Sequence, residues 1–271
     1  MSRIHPTAIV DKQAEIADEV EIGPYVVVDG PVKIGPGTRV YPNAYLSGWT
    51  QIGRDCQIHP GAVVGHLPQD FHYGGERSYC KIGDRCIIRE FASIHRGTQP
   101  ESWTILGEDC FILGYSHIGH NCLLGCGVKL YNMSACSGHV EIGDNAIISG
   151  YSVVHQFVKI GRLVMVGGAT RLGMDVPPFM MAMGESTCVG INSIGMKRNG
   201  LAADEIAEIK TAYRTLYRSG MAFGKAIAEL DGKPTTPAGR ELLAFLHAEH
   251  PRGIVGPPDR KVSGKSTPDD G

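Results

Sequence analysis

Long apolar runs are missing from this chain of 271 residues. No stretch approaches the ~18 consecutive apolar residues of a membrane-spanning helix, so no transmembrane segment is expected. The opening residues, MSRIHPTAIVDKQAEIADEV, are broken by proline and acids and lack a secretory signal's apolar stretch. A cytoplasmic protein is the expectation. An excess of charge of one sign is missing too. Lys and Arg total 26 against 28 Asp and Glu, a formal net charge of −2, which argues against a general nucleic-acid binder. The eight cysteines include no CxxC pair, which speaks against a disulfide framework or a cysteine-metal site. A GxSxG elbow is also absent, so nothing points to a serine acyl-enzyme. The length allows one large domain, or one domain with a smaller appendage.

Glycine, by contrast, is abundant: 36 residues, nearly twice the usual ~7%, with no collagen period. A repeat accounts for it. Every sixth residue from Ile4 to Val64 is Ile, Val or Leu; the phase resumes at Ile82, Ile88 and Ile94, and again from Leu106 to Leu172. Of the 29 ladder positions 25 obey, the exceptions being Asp70, Glu76, Pro100 and Cys136. No amphipathic helix or hairpin set holds one phase so long. The slot four residues later is kept small, as at Ala8, Thr38, Cys56, Ala92, Ser134 and Thr170, and glycine often follows the ladder residue, as at Gly23, Gly35, Gly83 and Gly161. A short flat strand and a turn every six residues fit this pattern, with glycine expected to supply the turns' unusual backbone angles. Three such strands close a triangular coil of 18 residues, and coils stack by strand pairing at about 4.8 Å. The hexapeptide repeat from about Ile4 to Leu172 resembles that of the left-handed parallel β-helix acyltransferases, and the resemblance implies the left hand.

Breaks in the ladder are informative. Residues 66–79, HLPQDFHYGGERSY, read as one coil's worth of chain thrown outward as a loop, and residues 97–104 as a shorter excursion. Loops on a rigid scaffold tend to carry function. Cys56, Cys80, Cys86, Cys110 and Cys122 fall in phase with the small slot and Cys136 on the ladder, as interior hydrophobes would. After Leu172 the phase ends in a segment rich in Pro, Gly and Met. From Ala202 the period becomes helical: Ile206, Ile209, Tyr213, Leu216 and Tyr217 share a face that stops at Gly220, with shorter helices expected around 222–230 and 237–249. The expected organisation is therefore a β-helix over 1–189 with a projecting loop, an α-helical domain over 190–255, and a disordered tail over 256–271. Between Lys197 and Lys225 six basic residues face three acids; this is either a solvated helix face or a docking surface for an acidic partner.

Coil arithmetic also predicts neighbours, because residues about 18 apart stack on one prism edge. His120, His139 and His155 fall near one column. An outward stack of imidazoles has three readings: chance surface residues, a zinc site, or a general base flanked by substrate-binding histidines. The zinc sites of hexapeptide carbonic anhydrases include two histidines five residues apart, whereas His117 and His120 are three apart. A neutral imidazole can take a proton from an attacking hydroxyl with no nucleophilic side chain, if both substrates are held together. By the same arithmetic Asp70 and His120, 50 residues apart, should project from different edges and not meet within one chain.

The segments HIGHNCLLG (117–125), SGHVEIGDNAIISG (137–150), VVHQFVKIG (153–161), IHRGT (94–98), QDFHYGGE (69–76), DVPPF (175–179) and GINSIGMKRNG (190–200) closely resemble the acyl carrier protein–UDP-N-acetylglucosamine O-acyltransferases. This family opens lipid A synthesis, and the match runs to about Gly253. The resemblance implies a homotrimer with sites between neighbouring prisms, acyl carrier protein as donor, UDP-N-acetylglucosamine as acceptor, and no cofactor or metal. It implies that His120 is the general base for the sugar 3-hydroxyl and that the Gly138 N–H stabilises the oxyanion. It further implies substrate contacts at Asp70, His72, His117, Asn121, His139, His155 and Gln156. Asn192 and Arg198 are implied near the nucleotide, and Gly168 as the position limiting acyl-chain depth. Four positions depart from the family pattern: Asn121 stands for the usual Asp after the base, His72 for Lys, Ile194 for an acid and Asn199 for Arg. HN in place of HD also resembles the lipid A N-acyltransferases. An amine acceptor on a 3-amino sugar analogue therefore stands as an alternative, beside a zinc enzyme or a non-catalytic binding protein.

Overall fold

A computed structural model describes residues 2–257. Short strands of two to five residues form three parallel sheets, with eleven, nine and eight strands, and each strand pairs with one about three elements away. In the first coils the register is 18 residues: Ile4 pairs with Ile22, Val10 with Val28 and Ile16 with Ile34. The chain thus winds around a three-sided prism. The first face begins at Arg3–Ile4, the second at Ile9–Val10 and the third at Glu15–Ile16.

The six-residue ladder points inward. Ile34, Leu46, Ile58, Ile88, Ile112, Ile118 and Ile148 are fully buried, and so are the small slots from Val20 to Thr170 that fill the corners between them. The first coil is covered on one side only, which leaves the ladder residue Ile4 45% exposed, whereas Ile9, beside the ladder residue Val10, faces outward.

Glycine's part in the turns differs from the sequence expectation. Of the glycines that follow a ladder residue only Gly65 has positive φ among the described residues; Gly23, Gly35, Gly83 and Gly161 do not. They are needed because the next coil's backbone passes too close: a Cβ on Gly83 would lie 2.5 Å from the carbonyl carbon of Gly107. Positive φ occurs two residues further on, and mostly without glycine. Tyr25, Asn43, Asp55, Asn121, His139 and Tyr151 all have φ between 55° and 61°, a region that costs a non-glycine residue about 1–2 kcal/mol.

The loop arithmetic also needs correction. Val64 pairs with Ile94, thirty residues on, and Ile94 with Ile118, twenty-four on. The 66–79 segment therefore inserts twelve residues, two hexads rather than a full coil, and the 97–104 segment inserts six. Both leave the prism at the same corner, between the second and third faces.

At the far end an antiparallel pair, Met180–Met183 with Thr187–Ile191, closes the first face. Four helices follow: α1 (Ser193–Arg198), α2 (Ala203–Arg218), α3 (Phe223–Leu230) and α4 (Pro237–His247). Ile209, Tyr213, Leu216 and Tyr217 form the buried face of α2, which packs on α3, α4 and the last strand. The chain then returns to the prism. Ile254 bridges to Asp175 and Gly256 to Thr187, while the His250 ring bonds the buried Asp175 carboxylate at 2.7 Å. The tail expected to be disordered lies, from residue 258, outside the described residues. No helix among the described residues is long and apolar enough to cross a membrane.

Candidate active site

The corner shared by the second and third faces carries the histidines. Ile118 turns inward from the strand His117–Ile118, and two residues later His120 sits at the bend. His120 does not point outward into solvent, as the column reading supposed; it is 7% exposed. Its Nδ1 lies 3.0 Å from Asn121 Oδ1, and that oxygen also accepts the Thr98 backbone N–H at 3.1 Å and the Thr98 hydroxyl at 3.0 Å. A backbone N–H can only donate, so the amide oxygen faces this cluster. Nδ1 must then be the protonated ring nitrogen, and Nε2 keeps the lone pair. Asn121 is itself fixed by its N–H donating to the Thr104 hydroxyl at 2.8 Å.

Asp70 meets His120 within one chain, against the expectation that they lie on different edges. Its Oδ2 is 3.7 Å from His120 Nε2. The count of 50 residues misled because the inserted residues break the 18-residue rule and the loop leaves from the histidine corner itself. Asp70 Oδ1 accepts the His72 N–H at 3.0 Å and contacts the His72 ring at 3.2 Å. The backbone bond from His72, foremost, holds the Asp70 carboxyl below its usual range. His72 itself stands in solvent.

Around His120, His117 accepts or donates at Ser93 Oγ, 2.8 Å from its Nδ1, and sits edge-on to His95 at 5.0 Å. His139 meets His120 edge-on at 5.2 Å and stacks on Phe157 at 4.8 Å. Burial, foremost, lowers the pKa of both His117 and His139, which favours neutral rings beside His120. The third ring of the column is thus Phe157, not His155. His155 sits two positions before Phe157 in the same turn, exposed, with its Nδ1 3.0 Å from the Gln156 carbonyl. Gln156 shares the corner line of His120 and Gly138.

Gly138 is buried directly over the His120 ring. A Cβ there would lie 2.3 Å from His120 Cε1, so only glycine leaves room for the ring. The Gly138 N–H donates to no acceptor among the described residues. A buried, unpaired N–H beside a base is a ready donor for developing negative charge.

The remaining candidates lie elsewhere. Gly168 is at the corner between the first and second faces, in open surroundings. Asn192 and Arg198 line a cleft over the first face together with Lys129 and Tyr131. The Asn192 side chain is committed within the fold: its Oδ1 caps α1 at Gly195 N, 2.9 Å, and its Nδ2 donates to the Leu163 carbonyl at 2.8 Å. It shapes the cleft wall, whereas Arg198 is exposed at its rim. Ser93, Thr98, Thr104 and Phe157 escaped the sequence reading. Thr98 was legible only as a small-slot residue, and its hydroxyl was the one available signal.

The family described as Udp N-acetylglucosamine O-acyltransferase, domain 2, matches residues 175–255, and the bacterial transferase hexapeptide family matches residues 31–66. The chain is 49% identical over 263 residues to an acyl-[acyl-carrier-protein]–UDP-N-acetylglucosamine O-acyltransferase of Burkholderia orbicola, covering 94% of this chain and 100% of the relative. It is 46% identical over 258 residues to the enzyme of the same name from Thiobacillus denitrificans, with the same coverage. Among solved structures it is similar to LpxA from Acinetobacter baumannii: TM-score 0.89, 38% identity, 93% of this chain and 99% of that one. The UDP-N-acetylglucosamine acyltransferase of Francisella novicida gives 0.88 at 35% identity, covering 94% and 95%.

Proposed function

The chain belongs to the acyl carrier protein-dependent UDP-N-acetylglucosamine O-acyltransferases, and on that footing we propose how its residues divide the work. The reaction moves an acyl chain from the thioester of acyl carrier protein to the 3-hydroxyl of UDP-N-acetylglucosamine and opens lipid A biosynthesis. His120 Nε2 takes the hydroxyl proton as the sugar oxygen attacks the thioester carbon. The carbonyl oxygen gains negative charge and is met by the Gly138 N–H. The intermediate collapses with loss of the carrier thiolate, which receives the proton from His120. No cofactor enters. The observation that carries this reading is the Asn121 oxygen, which fixes the His120 proton on Nδ1 and leaves Nε2 free as the base. Asp70, 3.7 Å from Nε2, stands where it can orient the sugar and favour the imidazolium that forms. His117, His139, His155 and Gln156 line the approach of the substrates along the same corner.

We assign the working enzyme as a cytoplasmic homotrimer. Gly168 sits at a different corner of the prism from His120, and Asn192 and Arg198 lie over the first face, so a neighbouring copy is what brings them to the base. A heterologous three-fold interface does so and closes. Light scattering should give a trimer at micromolar concentration; an active monomer contradicts it. Competition between UDP-N-acetylglucosamine and its 3-amino analogue, with one acyl carrier protein thioester, tests the acceptor. The ester is the expected product with the natural sugar, and failure to acylate that sugar overturns the reading.

A further inference from the structure

Arg96 is an anomaly that the reaction does not explain. It occupies the corner line of His120 one coil earlier, is 8% exposed, and forms no ion pair among the described residues. A buried guanidinium without a carboxylate is costly unless other groups replace its hydration. Here aromatic rings and oxygens do so. Its carbon lies 5.7 Å from the centre of the Trp49 ring and 5.9 Å from that of Tyr73, within the range of cation–π attraction. Nη2 donates to the Tyr73 hydroxyl at 3.0 Å and Nη1 to the Gly65 carbonyl at 3.3 Å, while Nε is buried without a partner. The socket is shaped for this side chain, because a Cβ on Gly48 would lie 2.2 Å from Nη1.

Tyr73 belongs to the inserted loop. Its hydroxyl donates onward to the Glu76 carbonyl at 2.9 Å, and its N–H donates to the Asp70 carbonyl at 3.1 Å. A continuous chain therefore runs from the coil through Arg96 and Tyr73 to the backbone of Asp70, whose carboxylate faces His120. The later end of the loop is held separately, by Arg77 over the Trp49 and Tyr79 rings, whereas next to Asp70 itself Phe71 is fully exposed and His72 stands in solvent.

We propose that Arg96 is a positioning residue, a buried cation that clamps Tyr73 and so holds Asp70 over the base. The proposal rests on the assignment of Asp70 and His120 to the reaction. Tyr73→Phe removes one hydroxyl at the loop side and opens no cavity; Arg96→Lys keeps the charge but cannot reach Tyr73 and Gly65 together. Hydrogen exchange on the intact enzyme at the amides of His72, Tyr73 and Gly74 should quicken at least about tenfold in both variants, with the coil amides unchanged. Acyl transfer should fall by roughly tenfold in kcat/KM, and this loss should vanish when Tyr73→Phe is made on top of Asp70→Asn, as expected of residues acting in series. Unchanged loop exchange, quickening spread through the coils, or an equal loss with and without the Asp70 carboxylate overturns the clamp. An intact enzyme that fails to acylate the nucleotide sugar defeats the functional reading instead, and loop exchange still decides the clamp.

Discussion

Asn121 and His120 are joined by a hydrogen bond whose direction is fixed from outside. The Thr98 N–H donates to the Asn121 oxygen, so the His120 Nδ1–H must donate to it as well. An amide thus orients the base as a carboxylate would, without the charge. Asn121→Ala should release the ring and lower kcat by about 10–100-fold, within the range set by general-base catalysis, and should also lower the denaturant midpoint, because the Thr98 N–H and hydroxyl lose their acceptor. Asn121→Asp should keep the orientation and add negative charge, which favours the imidazolium. The acidic limb of its kcat/KM profile should therefore shift to higher pH, with faster transfer on the alkaline side. A profile that overlays the parent's contradicts this role for Asn121.

Gly138 has a steric test. Gly138→Ala sets a methyl group 2.3 Å from the His120 ring, and the ring, not the backbone, must move. Activity should drop at least about a hundredfold with the fold intact, the scale of a lost oxyanion donor or displaced base. Retained activity would remove Gly138 from the site.

The coil glycines are tested by stability. Gly83→Ala forces a Cβ to 2.5 Å from the Gly107 carbonyl carbon, whereas Gly190→Ala meets nothing within 4 Å. Chemical denaturation should show a loss of roughly 1–3 kcal/mol or more for the first and far less for the second. Equal effects would place the role of Gly83 in its turn rather than in coil packing.

Acid sensitivity follows from His95. Burial, foremost, with the charges of His117, His66 and His120, pushes its pKa down to about 4 from an ordinary 6.5. The unfolded chain takes up this proton first. The stabilisation is therefore complete above the ordinary value and is lost as pH falls toward 4, by about 3 kcal/mol in total. His95→Phe should flatten the fall in unfolding midpoint over that window; parallel curves for variant and parent would contradict it.

The prism was legible in the sequence because its signal is redundant. Twenty-five ladder positions repeat one demand, and no single exception changes the outcome. The helices from 203 onward were legible for the same reason, through the apolar face of α2. What failed was inference from one residue at a time. Glycine after the ladder residue suggested unusual angles, yet close approach between coils is what excludes a side chain there, and a repeat pattern does not distinguish the two causes. Asp70 was assigned to the wrong edge because insertions of two hexads and one hexad preserve the ladder's phase while shifting every later neighbour. The contacts of Thr98 and Arg96 depend on those same shifted neighbours, so they emerge only once the register is known.

The central claim is that His120 Nε2 removes the proton from the sugar hydroxyl. Ile118, not His120, fills the prism, so His120→Ala should preserve the coils. Single-turnover acyl transfer from acyl carrier protein to UDP-N-acetylglucosamine by that variant is the most direct measurement. The rate should be lower by roughly 10²–10⁴-fold with circular dichroism and solution mass unchanged; a folded variant acylating at close to the parent's rate contradicts this role of His120.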